Sequence, residues 1–600
     1  MAIVRHWLKI RPWWCGLLAA CCILGPALGS GDLLNLDLIT TPHLRAPDWR
    51  WGVGPGLPHR VPMYWPLTWM ANLTSGGTVL KALYVVALTV LFVGVWRLAA
   101  SGDARIDAGI ALLVTWSPFT ITRVAVGHLN VVWAMAAIAW SAPALLRLDP
   151  GSSRRARRLG GLIALGGLIP GSWMLVTGAA GVLGGPASER RVRARRWLQL
   201  LPLQLAWIVP SALFAIVGPK LAGGSNFRPA IGALAPLEML AGLGFWRVPN
   251  QVPAPPWWPL IAVTLVVLIG LGFQETLRRF GRPWVLITGA ALAIPTLTRV
   301  PPFSLVLSFV NNSVLGTPLR EAQRWWGLAL VLLAPCLAAG AVNMRKHASE
   351  TFAAVLPAAA ALLLAGNGLW GARGMLTPVK YPSGWSQVRS VIEHNPGTTL
   401  ALPWHQYLDV SFAQNRRVLN PLPDYLSGDV VASTDPELTI YHSEVDPRGE
   451  PAIRALDHPA RASDLLAALG IRYIAAARLG DPDERIDALA LQDGFTTLFT
   501  DNDIVLLQVD DSATRRVDWW FGPIGVVPRG QSPVAVAGAP GWVLGGDLVS
   551  GRSPTLDPGR RSGVLWYWPA FAVIFANVVS LGWWLKSLLR GEPDDGIHSE

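Results

Sequence analysis

Two carboxylates, Asp32 and Asp37, stand directly after the first hydrophobic segment, residues 12–30, in Gly31-Asp32-Leu33-Leu34-Asn35-Leu36-Asp37. An acid at the mouth of a membrane helix suits a general base that takes the proton of an acceptor hydroxyl, once neighbours orient it within hydrogen-bond reach. It also suits a helix cap or a mere marker of topology. On a helix, residues five positions apart point in different directions, so at most one of the two is the base. Asp37 is the expected base and Asp32 its alternate, because Thr40-Thr41-Pro42 starts a loop just beyond Asp37.

That loop, residues 31–77, also holds His43, Arg45, Asp48, His59, Arg60 and Tyr64 among several Trp and Pro. Aromatic faces stack on sugar rings and polar groups take hydroxyls, which makes His59 and Tyr64 candidates for sugar binding. An exposed loop packed on a membrane would have the same make-up. Cations suited to a lipid phosphate come later: Arg123 and His128 in residues 121–130, and Arg320 and Arg324, with Glu321 between them, in residues 319–325. Arginine offers a planar fork of donors to phosphate, and a charge at the centre of a span costs ~2.5–3.5 kcal/mol. Snorkelling or an Arg320–Glu321 salt bridge is the structural alternative. No His-Glu-x-x-His spacing occurs, so a divalent cation is left open without a motif to hold it, and no other cofactor is indicated. Walker and G-x-G-x-x-G loops are absent, as is Gly-x-Ser-x-Gly, against nucleotide chemistry and a serine hydrolase.

The elements that must position these residues are membrane helices. Hydrophobic residues make up 52% of the 600, charged residues only 15%, and the mean hydropathy is positive; an ordinary soluble domain is more charged than this. Apolar runs of about 16–23 residues recur, enough to cross or nearly cross a ~30 Å hydrocarbon core. Many of the 30 Trp fall where apolar runs meet polar ones, as interfacial belts do. The net charge of +12 resides in short arginine clusters between apolar runs, at residues 147–158, 190–196, 278–282 and 345–346. That is the positive-inside pattern of cytoplasmic loops, not a nucleic-acid platform interleaved with aromatics. All four Cys lie in apolar segments, against structural disulfides.

With the amino terminus inside, full spans are expected at 12–30, 78–97, 107–122, 129–146, 197–217, 257–274, 283–298, 325–343, 351–371 and 564–587. Residues 159–185 lie between two arginine clusters and are too short for two crossings, so they read as a re-entrant hairpin broken at Pro170-Gly171. A short embedded helix is expected at 303–310. Residues 375–562 are polar and fall outside the cell. Within them Ser383–His394 reads as a helix capped by Ser383, and Ala462–Leu469 as another helix. Thr398–Leu402, Ile471–Ala477, Phe495–Phe499 and Ile504–Val509 read as strands. Alternating helix and strand predict a small α/β domain, with 513–562 an irregular connection to the last span.

The chain resembles the GT-C superfamily of polyprenyl-phosphate-sugar-dependent glycosyltransferases, and within it actinobacterial arabinofuranosyltransferase-like envelope proteins. The matching pieces are residues 32–37, the Trp-Ser-Pro-Phe…Arg…Gly-His-Leu-Asn stretch at 116–130, Arg320–Trp325, Leu402–Tyr407 and Arg416–Pro421. The resemblance implies a cavity beneath the first outside loop with a loop aspartate as base. It also implies a lipid-linked donor such as decaprenyl-phosphate-arabinose, inversion at the anomeric carbon, and an exterior domain that holds the glycan acceptor. Two departures stand out. No adjacent Asp-Glu pair follows the first span, unlike protein mannosyltransferases, and the second outside loop offers Arg123 and His128 where an acid is expected.

The reading is a polytopic α-helical membrane protein of about ten full spans plus a re-entrant hairpin, with a small exterior α/β domain. Its parts are a multi-span domain (1–374), the exterior domain and connection (375–562), and a last span with a cytoplasmic tail (563–600). Both termini are expected in the cytoplasm of a plasma-membrane protein. The expected function is sugar transfer from a polyprenyl-phosphate donor to a cell-envelope glycan. Asp37 (or Asp32) would act as base, and Arg123, His128, Arg320, Glu321 and Arg324, with His59 and Tyr64, would hold phosphate and sugar. The partners are membrane lipids, the lipid-linked donor and the glycan acceptor, with no nucleic acid. A flippase would instead place paired charges in mid-span, and a non-catalytic scaffold would be indifferent to Asp37→Asn.

Overall fold

A computed structural model describes residues 2–44, 64–149, 151–217, 227–232, 234–298, 300–306, 321–435, 437, 445–479, 483–510, 518–521, 524–527, 536, 538, 540–549, 553–556 and 562–589. It is a multi-pass helical membrane protein that also carries sheets in its carboxyl-terminal third. Among the described residues seven helices are long and apolar enough to cross a membrane, or nine if each of two bent pairs counts as one span. The expected count of ten is finer than this. Ala322–Met344 is the most enclosed of the seven, with 78% of its window buried, and Trp568–Leu589 the least, with 17%. The former is therefore the most central of the seven and the latter lies at the rim.

Local chemistry sets the helix boundaries. Ser75 caps Gly76–Ala99 by accepting from the Thr78 N–H, and Ser349 caps Glu350–Ala365 by accepting from Phe352. Ser117 and Pro118 start a new helix in the middle of a crossing. Ala104–Thr115 and Pro118–Ala125 are consequently bent by 45°, which leads the second half and Arg123 into the site. Residues Trp258–Leu297 run as one helix in hydrogen bonding but reverse at Gly281, whose φ of 69° and ψ of −166° suit glycine alone. The ring centroids of Phe273 and Trp284 lie 5.8 Å apart, although a straight helix would separate them by ~16 Å. Both arms pack on Trp325–Met344. One arm does so through Gly272, where an added Cβ would fall 1.9 Å from the Cys336 carbonyl oxygen, and the other through the Trp284 indole on the Leu332 carbonyl.

The expected hairpin at 159–185 consists of two helices, Ser152–Leu165 and Leu168–Leu183. It breaks at Gly166-Gly167, not at Pro170-Gly171. Pro170 lies in the first turn of the second helix, where its missing N–H costs nothing, whereas Gly167 takes φ 82° with ψ −152°. Of the helix expected at 303–310, residues 303–306 are helical and the rest lie outside the described residues.

The sheet-bearing part begins with helix Ser383–His394, where Ser383 is the first helical residue and not the cap. A five-stranded sheet follows in the order Val430–Val431, Thr398–Leu402, Ile471–Ala477, Ile504–Val509, Phe495–Thr500; the first three strands are parallel and the last two antiparallel. Helix Pro459–Ala468 starts three residues before the expected Ala462–Leu469 helix and ends one residue short of it, with Leu469 as its C-cap. One sheet face packs Trp385, Val388 and Ile392, the other Ala462, Leu466 and Leu489. An outer hairpin, Tyr407–Val410 with Arg416–Leu419, stands apart from this sheet. Residues 513–562 are not an irregular connection. Asp518–Phe521, Ile524–Val527, Gly563–Tyr567, Trp542–Leu544 and Asp547–Val549 form a second five-stranded antiparallel sheet. The last span accordingly starts at Trp568 rather than 564.

Candidate active site

Asp37 sits at the tip of a very short hairpin. Leu34–Asn35 pair with Leu38–Ile39, and Leu36 and Asp37 close the turn. Leu36 has φ 51°, a rare and costly conformation for a branched side chain. Its surroundings hold it there. The Leu36 N–H donates to the Arg417 carbonyl (2.9 Å), the Leu419 N–H donates to the Leu36 carbonyl (2.8 Å), and the side chain is buried with Val126 and Phe245. On the other side Asn35 Nδ2 donates to the Ala125 carbonyl at 2.7 Å. Gly127, at φ 90°, lies against the turn so closely that an added Cβ would fall 2.4 Å from Leu38 N and 2.5 Å from the Asp37 carbonyl carbon. The tip is thus clamped between residues 125–128 of the membrane helices and the outer hairpin.

Each oxygen of Asp37 has one donor. Tyr407 Oη donates to Oδ1 at 2.6 Å, and His128 Nε2 lies 3.0 Å from Oδ2. The other ring nitrogen, Nδ1, lies 2.7 Å from Arg123 Nη1. A guanidinium can only donate, so Nδ1 accepts and the imidazole proton must be on Nε2, pointing at Asp37. Burial disfavours the charge on Asp37, but the His128 and Tyr407 hydrogen bonds and the nearby Arg324 outweigh it and hold the carboxyl below its usual range. Burial, with Arg123 beside it, lowers the His128 pKa and keeps the ring neutral. Although enclosed on these sides, the Asp37 side chain remains 34% exposed, so one face is open to a ligand.

Behind His128 lies a charged pair of pairs. Arg123 is 1% exposed, flanked by the Phe119 and Phe245 rings at 5.0 and 4.9 Å, and lies 3.5 Å from Glu321 Oε2. The second Glu321 oxygen accepts from Arg324. Arg324, with Arg123, holds the Glu321 carboxyl low against the effect of burial. With His128 neutral, the charges of Asp37 and Glu321 balance those of Arg123 and Arg324. Among the described residues no group of three or more His, Cys, Asp or Glu side chains is placed to hold a metal ion. The two carboxylates at the centre already face donors and cations.

Asp32 is placed elsewhere. Its backbone pairs with Val379 in both directions, at 2.7 and 2.8 Å, and Oδ1 accepts from Thr40 Oγ1 at 2.8 Å. Burial pushes its pKa up to about 6, against the Thr40 hydrogen bond and the Lys81 charge. It anchors the hairpin base and makes no hydrogen bond to the Asp37 group. Asp37, Arg123, His128, Glu321 and Arg324 are brought together; Arg320 and His59 lie outside the described residues, as does the side chain of Tyr64, which starts a helix. Two residues at or beside the site carry no functional signal in the sequence: Tyr407 ends the Leu402–Tyr407 motif, and Arg247, whose charge is felt by Tyr407 and Asp37, lies in a Pro-, Gly- and Trp-rich loop with nothing to single it out.

No protein-family model matches the chain, and no curated protein matches its sequence. Solved structures do match. The arabinofuranosyltransferase AftD from Mycobacteria superposes with TM-score 0.56 at 14% identity, over 86% of this chain and 42% of that one. Two classes of a mutant of AftD give TM-scores of 0.52 and 0.51 at 15% and 16% identity. The chain spans less than half the length of these structures. The fold is thus shared with these structures, as the resemblance implied.

Proposed function

We propose that this protein transfers a sugar from a polyprenyl-phosphate donor to a cell-envelope glycan outside the cytoplasm, with Asp37 as general base. The observation that carries the reading is the ionised, doubly hydrogen-bonded Asp37 carboxylate with one open face. The fold shared with AftD supports the same class of reaction. In the proposed step the acceptor hydroxyl gives its proton to Asp37 while its oxygen forms a bond to the anomeric carbon. The bond from that carbon to the phosphate oxygen breaks, its electron pair leaves with the phosphate, and the configuration inverts. His128 and Tyr407 position Asp37 and keep it charged, and Arg123 fixes the His128 tautomer. The hairpin and residues 375–562 would lie on the outer side and both termini in the cytoplasm, with the arginine-rich loops inside.

The test is transfer by protein in lipid from radiolabelled polyprenyl-phosphate sugars to an envelope-glycan mixture. Wild type should transfer label and Asp37→Asn should lose at least ~10²-fold, the lower range for a general base. Undiminished transfer by Asp37→Asn would remove Asp37 from the mechanism.

A further inference from the structure

Among the described residues, the charges behind Asp37 are already matched. Asp37, Glu321, Arg123 and Arg324 compensate one another, and Arg123 is too enclosed to meet a ligand. Arg247 differs from all of these. It is half-buried and close enough to interact electrostatically with Arg417, Tyr407, Asp37 and Asp409. Among the described residues its side chain makes no hydrogen bond or ion pair. Arg417, in contrast, has Asp409 and Glu437 at 3.6 and 3.7 Å. The loop that bears Arg247 is built into the site: Phe245 packs on Arg123, Trp246 joins the cluster that includes Tyr407, and Gln251 Oε1 accepts from the Gly244 and Phe245 N–H groups at 3.0 and 2.7 Å. A guanidinium stripped of part of its water, next to another, is costly unless an anion completes it.

We infer that Arg247 is the residue that takes the phosphate charge of the lipid donor, through charge-assisted hydrogen bonds beside the Asp37–Tyr407 pair. This rests on the reading of the protein as a polyprenyl-phosphate-dependent transferase. It assigns phosphate recognition to a loop residue and leaves Arg123 as a positioning residue for His128.

The experiment measures binding, not transfer. Full-length protein in neutral-lipid nanodiscs is titrated with farnesyl phosphate, farnesol and inorganic phosphate. Arg247→Ala and Arg247→Gln should each weaken farnesyl phosphate binding about 10- to 100-fold, the range for a lost set of charge-assisted hydrogen bonds. Arg247→Lys should recover part of it, farnesol should bind all forms alike, and thermal unfolding midpoints should match wild type. Wild-type affinity of both Arg247→Ala and Arg247→Gln for farnesyl phosphate would overturn the inference. So would a loss seen with inorganic phosphate but not with the lipid. Arg247-dependent lipid binding without any sugar transfer would leave the inference standing and defeat the transferase reading; transfer that is indifferent to Arg247 would do the reverse.

Discussion

Asp37 makes a hydrogen bond through each oxygen, one to the membrane part of the molecule through His128 and one to the sheet-bearing part through Tyr407. Hydrogen bonds to the ionised form lower a pKa, so removing one raises it. Tyr407→Phe deletes a charge-assisted bond of ~1.5–3 kcal/mol, which corresponds to about 1–2 pH units. The acid limb of kcat/KM against pH should therefore move up by that amount. The loss of rate should be greatest at low pH and mostly recovered above the new limb. An unshifted limb in Tyr407→Phe would mean that another group sets the protonation of the base. Arg123, His128 and Arg324 are legible in the sequence because Arg and His next to apolar spans are conspicuous, whereas Arg247 is not. What the three actually do is not legible there. That Arg123 holds an imidazole tautomer, and does not face a ligand, follows from its enclosure between two aromatic rings, and Phe245 is 122 positions away from it.

At the scale of elements, backbone conformations that only glycine tolerates decide where helices end and turn. Gly281 reverses the chain between two helical arms, and an added Cβ there would meet only Pro283 Cδ at 3.4 Å, so Gly281→Ala isolates the backbone effect from any clash. The expected cost is about 1–3 kcal/mol, read as a lower thermal unfolding midpoint in detergent. An unchanged midpoint would argue against the reversal. The same scale shows which elements local sequence reveals. Thr398–Leu402, Ile471–Ala477 and Ile504–Val509 are buried apolar runs bounded by turn residues, and their observed limits match the expected ones. The strands beyond residue 513 are three to five residues long and lie among Gly and Pro. Ile524–Val527 pairs with the neighbouring Asp518–Phe521 on one side, but its other partner, Gly563–Tyr567, lies far along the chain, so local pattern marks only a part of this sheet.

At the scale of the whole molecule, Leu36 is one of the points where the two parts join. Leu36 bridges in parallel to Val418, so the tip of the membrane-side hairpin adds to the edge of the outer hairpin. The Leu419 N–H serves this contact, donating to the Leu36 carbonyl. Leu419→Pro removes that donor. Transfer should fall at least about tenfold, the equivalent of one lost buried hydrogen bond at ~1.4 kcal/mol, while helix content by circular dichroism stays at the wild-type level. Full activity in Leu419→Pro would show that the two parts need not be joined at this point.

Synthesis order gives the Asp37–Tyr407 bond a further meaning. The two residues are 370 positions apart, whereas His128 follows Asp37 by only 91. At ~5–20 residues per second a ribosome makes Tyr407 roughly 20–70 s after Asp37. Throughout that interval the acid has at most one of its two donors, and the strained Leu36 has no edge to lie on. The nascent chain enters the bilayer unarmed, and competence arrives only when the carboxyl-terminal third has folded back onto the start of the protein.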